Sequence, residues 1–558
     1  MKSRIKLLRG LSIGVVMLLV VAVVSFGCAA ESPEEGAPPA PPEEEAPPVK
    51  DTLVVGVVDL PPTLDCDTSS HPMTYATIET ITDTLTQWAS MPAPGYEHVF
   101  IPDRTTYVGE LVESWEMSPD GRTITFHLKK GIKSAYGNEW TAEDMLWRYE
   151  RGFDIHGTTA FFAATMDFYS ADAVKVIDDY TLSITSERPV PINIPLGCHA
   201  LMCLKPFDSK EAKKHATADD PWALDWVNTN CPAYGPYYVT EWTPGVQAVF
   251  SANHNYYKEG LPAFERIIFK VIPESSSRVA MIRDGTIDAA RDLTPREIDS
   301  LKDAPGVNCV VLQGQLMAHL IMNQNMVEPF TNKLVRQAVN YAIDRDRIID
   351  MAYFGMAWPM KTILAPECLG VLDPEEFPYD YNIEKAKELM EEAGYADGFA
   401  VELYYTSGYL HHETACIIIK EDLAKIGIDV TLRKTPLGSL ASLVTAREAP
   451  FVYYVEQPSL PDPNYQCTLN YLAYELGGFA NHGYFDDPVV NDMIMEGKAI
   501  IDLDERFEYN RELQRVIIDR AAWGWVVHEP HMWAVRDNLE VILGGGYHIQ
   551  FGWMKVID

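Results

Sequence analysis

The sequence predicts an α/β protein with two lobes. Residues 266–289 and 399–433 each have the pattern of a strand, a helix that a glycine ends, and a second strand. A βαβ unit of this kind normally builds a parallel or mixed sheet with a right-handed crossover. The body from residue 51 to residue 558 is also too long for a single hydrophobic core. Two α/β lobes follow from these observations.

The first 28 residues have the composition of an export signal. Basic residues precede an apolar run from Leu11 to Val24. As a helix this run would span about 21 Å, less than the roughly 30 Å of a hydrocarbon core, so a permanent transmembrane span is disfavoured. Gly27-Cys28 resembles the end of a lipoprotein box, although Ser25 and Phe26 depart from its usual residues. We predict that Cys28 carries a lipid; the alternatives are an ordinary cleavable signal or an uncleaved anchor.

The composition after the signal predicts a tether and an acidic exported body. Residues 29–50 are mainly Pro, Glu, Ala and Gly, which favours an extended tether. The net charge is −35, of which residues 1–50, with five basic and six acidic side chains, contribute −1. This acidity argues against nucleic acid and anionic bilayer faces; it fits either cationic ligands or solubility alone. Besides Cys28, eight cysteines remain, and their spacing assigns no disulfide pairs.

Local patterns predict the individual elements of the body. Residues 113–128 form a hairpin around the turn Ser118-Pro119-Asp120-Gly121, with alternating apolar residues in its second strand. Thr141 caps a helix, with Asp144 as its capping-box partner, and Gly152 ends that helix. The other predicted elements are strands at Leu53–Val58, Arg266–Val271, Ile287–Ala289, Phe399–Tyr405 and Ile428–Arg433, and helices at Glu274–Arg283, from Asn382 to Gly394 and up to Lys425.

Several blocks of the sequence resemble one receptor family. Residues 108–151 contain, in order, Glu-Ser-Trp-Glu, Asp-Gly, Thr-Phe-His-Leu, Lys-Gly-Ile-Lys and Thr-Ala-Glu-Asp. This block resembles the signature of the family 5 extracellular solute-binding proteins, the oligopeptide, dipeptide and nickel receptors of ABC importers. Residues 231–290 and 320–350 resemble further blocks of the same family. The resemblance implies a periplasmic-binding-protein-like fold, with two α/β lobes, a hinge and an inserted third domain.

The resemblance also implies where the domains and the ligand lie. The ligand is expected between the first and third domains, which close by hinge motion. The predicted divisions are a signal peptide at 1–28, a tether at 29–50, domain I at 51–85, 201–305 and 531–558, domain II at 86–200, and domain III at 306–530.

The predicted ligand segment is Tyr453–Pro463. Its Asp-Pro resembles the family segment in which a Trp and a separate Asp meet the ligand, and these two positions are here Glu456 and Ser459. A buried ammonium needs a compensating charge, which Ser459 cannot supply. Either Glu456 supplies it and the ligand is cationic or a peptide, or the ligand is neutral, such as a sugar. Tyrosines such as Tyr454 could stack on either.

Two aspartates complete the predicted site. Thr63-Leu64-Asp65 resembles the family's Leu-Asp-Pro loop at the cleft, or is a surface loop after an edge strand. Asp462 either contacts the ligand or caps the following turn. The predicted ligand-binding residues are Asp65, Tyr454, Glu456, Ser459 and Asp462.

No motif in the sequence indicates catalysis. Gly-x-Ser-x-Gly, His-Glu-x-x-His and a Gly-Lys-Ser/Thr phosphate loop are all absent from the body of the chain at residues 51–558. The clusters His411-His412-Glu413, His528-Glu529-Pro530-His531 and Cys198-His199 with Cys203 lack a complete ligand spacing, so we interpret them as structural. We therefore predict no catalytic residue, no metal and no cofactor.

The favoured hypothesis is a monomeric, lipid-tethered extracytoplasmic receptor. It would capture a peptide or another small solute and deliver it to an ABC permease and ATPase complex. The alternatives are an exported hydrolase acting on peptides or glycans, and a receptor of the same fold that works with a sensor or an adhesin.

Overall fold

The computed structural model describes residues 51–69 and 72–557. Cys28, the predicted signal peptide and the tether lie outside the described residues. The strands are β1 (Thr52–Val57), β2 (Thr86–Pro92), β3 (Val99–Gly109), β4 (Val112–Met117), β5 (Thr123–Leu128), β6 (Val174–Asp178), β7 (Thr181–Thr185), β8 (Tyr237–Thr243), β9 (Gln247–Ala252), β10 (Arg266–Val271), β11 (Ala289–Ala290), β12 (Val307–Met322), β13 (Trp358–Pro359), β14 (Phe399–Thr406), β15 (Ile428–Thr435), β16 (Phe451–Glu456), β17 (Gly524–Arg536), β18 (Leu539–Ile542) and β19 (Lys555–Val556).

The helices alternate with these strands over most of the chain. None of them, within residues 51–69 and 72–557, combines the length and the apolarity that crossing a membrane requires. The α-helices are α1 (Pro72–Ile81), α2 (Ala142–Asp154), α3 (Thr158–Thr165), α4 (Asn193–Ala200), α5 (Ser209–Ala212), α6 (Leu224–Asn230), α7 (Ser275–Arg283), α8 (Pro295–Leu301), α9 (Lys333–Ala342), α10 (Arg345–Tyr353), α11 (Ile383–Glu392), α12 (Leu410–Ala424), α13 (Leu437–Ala446), α14 (Pro463–Tyr471), α15 (Pro488–Lys498) and α16 (Leu503–Arg520).

The strands form one large mixed sheet and two small sheets. The large sheet has eleven strands in the order β15-β14-β16-β12-β17-β11-β1-β10-β9-β8, with β13 paired to β17. The small sheets have the orders β19-β18-β3-β2 and β4-β5-β7-β6. Both predicted βαβ units are confirmed. β10 and β11 pair in parallel with β1, which lies between them, and β14 pairs in parallel with β15.

Two long antiparallel strands, β12 and β17, connect the lobes. In β12, Val310 belongs to the hydrophobic core of the first lobe and Leu320 to that of the second. In β17, Val535 belongs to the core of the first lobe and Val526 to that of the second. The pairing of β12 with β17 shifts register between residues 313 and 317, between the two cores. Such an irregularity locally disrupts the ladder and bends a strand, so the strands change direction where the lobes meet.

Most local predictions are confirmed, although several boundaries differ by one or two residues. The capping box is present, with Thr141 N donating to Asp144 Oδ2 at 2.9 Å. Gly152 was wrongly predicted to end that helix, since α2 continues to Asp154. The glycine serves close packing instead, because a Cβ there would lie 2.3 Å from Thr159 Cβ. The strand predicted at Ile287–Ala289 is shorter and later, at Ala289–Ala290.

Candidate functional site

The predicted ligand segment lies against elements of the first lobe. It leaves β16 after Glu456 and enters α14 at Pro463. Gln457 Nε2 donates to the Gly546 carbonyl at 2.7 Å. A Cβ on Gly197, in α4, would lie only 3.0 Å from Leu460 Cδ2. The segment therefore forms part of the boundary between the lobes.

Glu456 is a buried carboxyl without a full cationic partner. Its Oε2 accepts from Asn470 Nδ2 at 2.9 Å and lies 3.8 Å from His319 Nε2. Burial raises the pKa of Glu456 to about 8, opposed only in part by the Asn470 hydrogen bond. Burial also lowers the pKa of His319 to about 3, so His319 stays neutral. At neutral pH the Glu456 carboxyl is therefore mostly protonated, until a cation approaches it.

Tyr454 and Ser459 lie on either side of Glu456 and are both half-buried. The Tyr454 ring centroid lies 5.9 Å from that of His482. Ser459 lies beside the hydroxyl of Tyr465. Both side chains keep some exposure at the boundary.

Both carboxylate oxygens of Asp462 accept hydrogen bonds from within the protein. Its two oxygens accept from Nε and Nη2 of Arg506, each at 2.8 Å, and Oδ2 also accepts from Asn193 Nδ2 at 3.0 Å. Oδ1 accepts from Tyr465 N at 2.8 Å, which caps α14. Although burial opposes ionisation, Arg506 holds the pKa of Asp462 below its usual value. Of the two roles predicted for Asp462, these contacts favour capping.

Asp65 is also held by an arginine. Its carboxylate makes a buried ion pair with Arg151, and Asp67 pairs with Arg151 and with Arg148. Asp65 Oδ1 additionally accepts from Asp67 N at 3.0 Å. These contacts join the loop after β1 to α2, which gives Asp65 a structural role in this conformation.

A different buried arginine, Arg104, has free hydrogen-bonding capacity. It lies on β3 and stacks on Trp88, with its guanidinium carbon 4.4 Å from the ring centroid. Nη2 donates to the Gly545 carbonyl at 2.7 Å and lies 3.7 Å from Glu367 Oε1. Nε and Nη1 are buried and have no hydrogen-bond partner among the described residues. Buried polar groups are normally paired, so the unpartnered donors of Arg104, like those of buried Arg291, call for an explanation.

Other buried polar side chains surround Arg104. We call the following residues the Arg104 cluster: Trp88, Arg104, Gln315, Glu367, His531 and Tyr547. Tyr547 stacks on His531 with ring centroids 5.0 Å apart, and its centroid lies 5.5 Å from the Arg104 guanidinium carbon. Within the described part of the chain, His531 Nε2 also lacks a partner, and the buried polar atoms of Trp88, Gln315 and Glu367 make no hydrogen bond of good geometry, although Trp88 lies beside Tyr107 and Gln315 beside Glu367.

The cluster is drawn from both lobes. Trp88 and Tyr547 belong to the first core, and Glu367 precedes Cys368, which belongs to a core of the second lobe. Gln315 lies on β12 inside the register shift, and His531 lies on β17. Burial raises the pKa of the Glu367 carboxyl, which Arg104 opposes. The arrangement offers donors, acceptors and aromatic faces in a desolvated position between the lobes.

The sequence match agrees with this architecture. Residues 106–475 match the profile of the bacterial extracellular solute-binding proteins, family 5 Middle. The chain belongs to this family. Heme-binding protein A of Haemophilus influenzae is 26% identical over 442 residues, covering 75% of this chain and 78% of that protein. The dipeptide-binding protein of Escherichia coli is 25% identical over 456 residues, covering 78% of this chain and 83% of that protein.

Solved structures share the fold of this family 5 protein. The periplasmic binding protein DppA from Helicobacter pylori, in complex with the peptide STSA, aligns with a TM-score of 0.76 at 22% identity, over 91% of this chain and 98% of that one. The binding protein AgaA from A. tumefaciens R10, in complex with agropinic acid, aligns with a TM-score of 0.74 at 24% identity, over 91% and 99%. The periplasmic-binding-protein-like fold predicted from the sequence is confirmed.

Sequence reasoning missed the Arg104 cluster in this family 5 protein. One signal was available, because Arg104 falls on the inward face of a strand, two residues after the buried Pro102. A charged residue on a buried face needs a reason. The sequence could not supply the other members, which come from distant parts of the chain.

A separate cavity of about 430 Å³ opens between α3 and α15. Phe161, Leu469 and Phe479 are among its mainly apolar lining. Four charged residues line it: Asp167 and Arg188 are paired with each other at 2.7 Å, Arg506 is paired with Asp462, and Lys498 is the fourth. We therefore place the solute site at the Arg104 cluster, where the unpaired polar atoms are concentrated.

Proposed function

We propose that this family 5 solute-binding protein is the receptor of an ABC importer for a short peptide or another small solute with a free carboxylate. The observation that carries the proposal is the pair of unpartnered donors on buried Arg104. The peptide-bound and dipeptide-binding relatives support the choice of ligand class. The receptor binds without chemical change, and selectivity comes from lobe closure around the solute.

The ligand's carboxylate pairs with Arg104. Arginine and carboxylate groups form strong charge-assisted hydrogen bonds, and Nε and Nη1 of Arg104, which lie on different edges of the guanidinium, each have an N–H group to donate. Leaving a buried charge unpaired costs several kcal/mol, so a carboxylate gains more here than in water. Trp88 and Tyr547 exclude water from the pair on either side.

A ligand ammonium would interact with Glu456. This carboxyl is mostly protonated at neutral pH because burial raises its pKa to about 8. A nearby ammonium would favour the ionised form, so binding would release close to one proton at pH 7. Ser459 occupies the position at which the resemblance to peptide-binding members implies an Asp. This favours a second candidate, a neutral solute such as a sugar.

The decisive experiment starts from the protein's own ligand. Mass spectrometry of small molecules released from the protein on denaturation identifies the solute class. Calorimetry then compares Ala-Ala with Ala-Ala amide, which lacks the carboxylate. We expect the amide to bind at least about 100-fold more weakly, equivalent to about 2.8 kcal/mol. Equal affinities, or a copurified sugar without acidic groups, would contradict the carboxylate proposal.

The lipid anchor and the absence of catalysis have separate tests. Cys28→Ala should release the protein from membranes, and continued membrane retention would contradict lipidation. Saturable binding with no product supports a receptor, whereas turnover of the bound solute would support the exported hydrolase. A smaller radius of gyration at saturation is expected from hinge closure of a monomer.

A further inference from the structure

Three side chains that can bind metal meet outside the Arg104 cluster. His411 and His412 lie in the first turn of α12, and Glu529 lies near the middle of β17. One potential ligand atom of each lies within 4.8 Å of the other two. Because the histidines and the glutamate belong to distant segments, neither of the local patterns around them contains a complete ligand set.

Glu529 is oriented by two tyrosines. The Tyr353 hydroxyl donates to Glu529 Oε1, and the Tyr453 hydroxyl lies 3.4 Å from the same oxygen. His412 Nε2 approaches this oxygen at 3.0 Å. Hydrogen bonds from neighbouring groups to a ligating carboxylate are typical of protein metal sites, because they fix its orientation.

The histidine nitrogens make few hydrogen bonds within the described part of the protein. In residues 51–69 and 72–557, Nδ1 of His411 and both nitrogens of His412 lack a hydrogen bond of good geometry. A neutral imidazole keeps a lone pair on one ring nitrogen, and that nitrogen can bind a metal ion.

A simple ion pair does not explain the cluster. His412 and Glu529 could form one without a third partner, yet His411 packs against His412 with ring centroids 4.5 Å apart. Glu413, the carboxylate next to them in sequence, turns away and accepts from Lys434 Nζ at 2.6 Å. Two neighbouring imidazoles, one of them already 3.0 Å from an oriented carboxylate, match the donor set of a zinc site.

We propose that His411, His412 and Glu529 bind one divalent transition-metal ion, with Zn²⁺ as the best fit. Bonds of about 2.0–2.1 Å place tetrahedral ligand atoms about 3.4 Å apart, so small side-chain rotations contract the observed group sufficiently. Three protein ligands leave a fourth position for water. His411 is the most exposed of the three residues, although its Nδ1 is buried.

Metal at this position would stabilise the second lobe. The ion would link the start of α12 to β17, one of the two strands shared between the lobes. The metal site uses none of the residues of the Arg104 cluster, so zinc binding and solute binding are measured and mutated separately. Failure of either proposal therefore leaves the other testable.

The test uses the full chain without a polyhistidine tag, treated with EDTA and then titrated with ZnCl₂ in a calorimeter. We expect one site with a Kd below about 1 μM, and at least about 100-fold weaker binding in His411→Ala, His412→Ala and Glu529→Gln. Glu413→Gln is the matched control and should bind zinc like the wild type. With Co²⁺, the wild type and the control should show the intense visible absorption of a four-coordinate site, and the three variants should not.

His411→Ala keeps the test valid if the buried variants fail to fold, because its side chain is partly exposed. Circular dichroism of each variant without metal checks the fold. Absence of saturable zinc binding up to about 100 μM, well above metal affinities typical of protein sites, would overturn the proposal. Equal zinc affinity in His411→Ala and Glu413→Gln would also overturn it.

Discussion

Arg506 and Arg104 are almost equally buried, with 3% and 4% of their surface exposed, but their hydrogen bonding differs. Arg506 donates through Nε and Nη2 to Asp462, and through Nη1 to the Gly497 carbonyl at 2.7 Å. Arg104 reaches one carbonyl, and its closest carboxylate oxygen is 3.7 Å away. Two donors of Arg104 remain without a partner in the described structure.

This difference distinguishes a buried arginine that stabilises the fold from a buried arginine that can bind a ligand. A buried arginine whose donors are all used stabilises the conformation in which it is seen, and removing its partner destabilises that conformation. A buried arginine with unused donors lowers stability and is expected to bind something else. Arg506 and Asp462 therefore belong to the fold, whereas Arg104 is the better candidate for binding the solute.

The largest effect is expected from Asp462→Ala. Removing this carboxylate leaves Arg506 buried without a counter-charge and α14 without its cap. The free energy of unfolding should fall by about 3–5 kcal/mol. Urea denaturation measures the loss. The double variant Asp462→Ala with Arg506→Met should recover much of it, since replacing both members of a buried pair is often nearly neutral.

If Asp462→Ala abolished solute binding while leaving the unfolding free energy unchanged, Asp462 would be a ligand residue. That outcome would remove the contrast between the two arginines.

Arg104→Met should have the opposite profile. The methionine preserves much of the packing against Trp88 but cannot pair with a carboxylate. Affinity for the copurified solute should fall at least about 100-fold, while stability stays the same or rises by up to about 1–3 kcal/mol as the unpaired donors are removed. Calorimetry and urea denaturation measure the two quantities. Arg433→Met, on the exposed edge strand β15, is the control and should change neither by much.

A loss of stability in Arg104→Met as large as that in Asp462→Ala would show that Arg104 is structural after all.

Much of the fold could be predicted because it depends on local signals. The Thr141 capping box and the alternating apolar residues of β5 involve neighbours in sequence. The two parallel βαβ units could also be predicted, because they follow from the order of strand, helix and strand along the chain. The passage of β12 and β17 through both lobes could not be predicted, because their pairing joins segments far apart in the chain.

The site was less predictable for the same reason. The predicted segment at Glu456 does lie at the lobe boundary, but the roles of Asp65 and Asp462 depend on Arg151 and Arg506, which no local pattern connects to them. Residue type alone cannot distinguish a carboxylate that is already paired from one that is available. Only the three-dimensional contacts show which charges have partners.

Glu456→Gln tests the intermediate case, a carboxyl that is buried and protonated. Between about pH 4.5 and pH 8 the folded state retains a proton that the unfolded state has released, so Glu456 lowers stability as pH rises through this window. Below about pH 4.5 the carboxyl is protonated in both the folded and the unfolded state, so its contribution to stability is fully present. The variant lacks this dependence; the full shift corresponds to about 5 kcal/mol, so the variant should gain a few kcal/mol relative to the wild type from pH 4.5 to pH 8.

Urea denaturation across this pH range measures the difference between the two proteins. Parallel pH profiles would mean that Glu456 is ionised and already paired, like Asp462. In solute binding, Glu456→Gln should weaken a cationic ligand more than a neutral one.

Arg104→Lys should have the smallest effect and separates charge from geometry. Lysine keeps the positive charge but lacks the planar fork that binds both carboxylate oxygens. Affinity should fall by about five- to tenfold, equivalent to about 1–1.4 kcal/mol, with little change in unfolding free energy. A loss as large as in Arg104→Met would mean that the directed hydrogen bonds of the planar guanidinium provide most of the recognition. Full affinity would mean that charge alone suffices, and that the direction of the unpartnered donors does not determine which solute is bound.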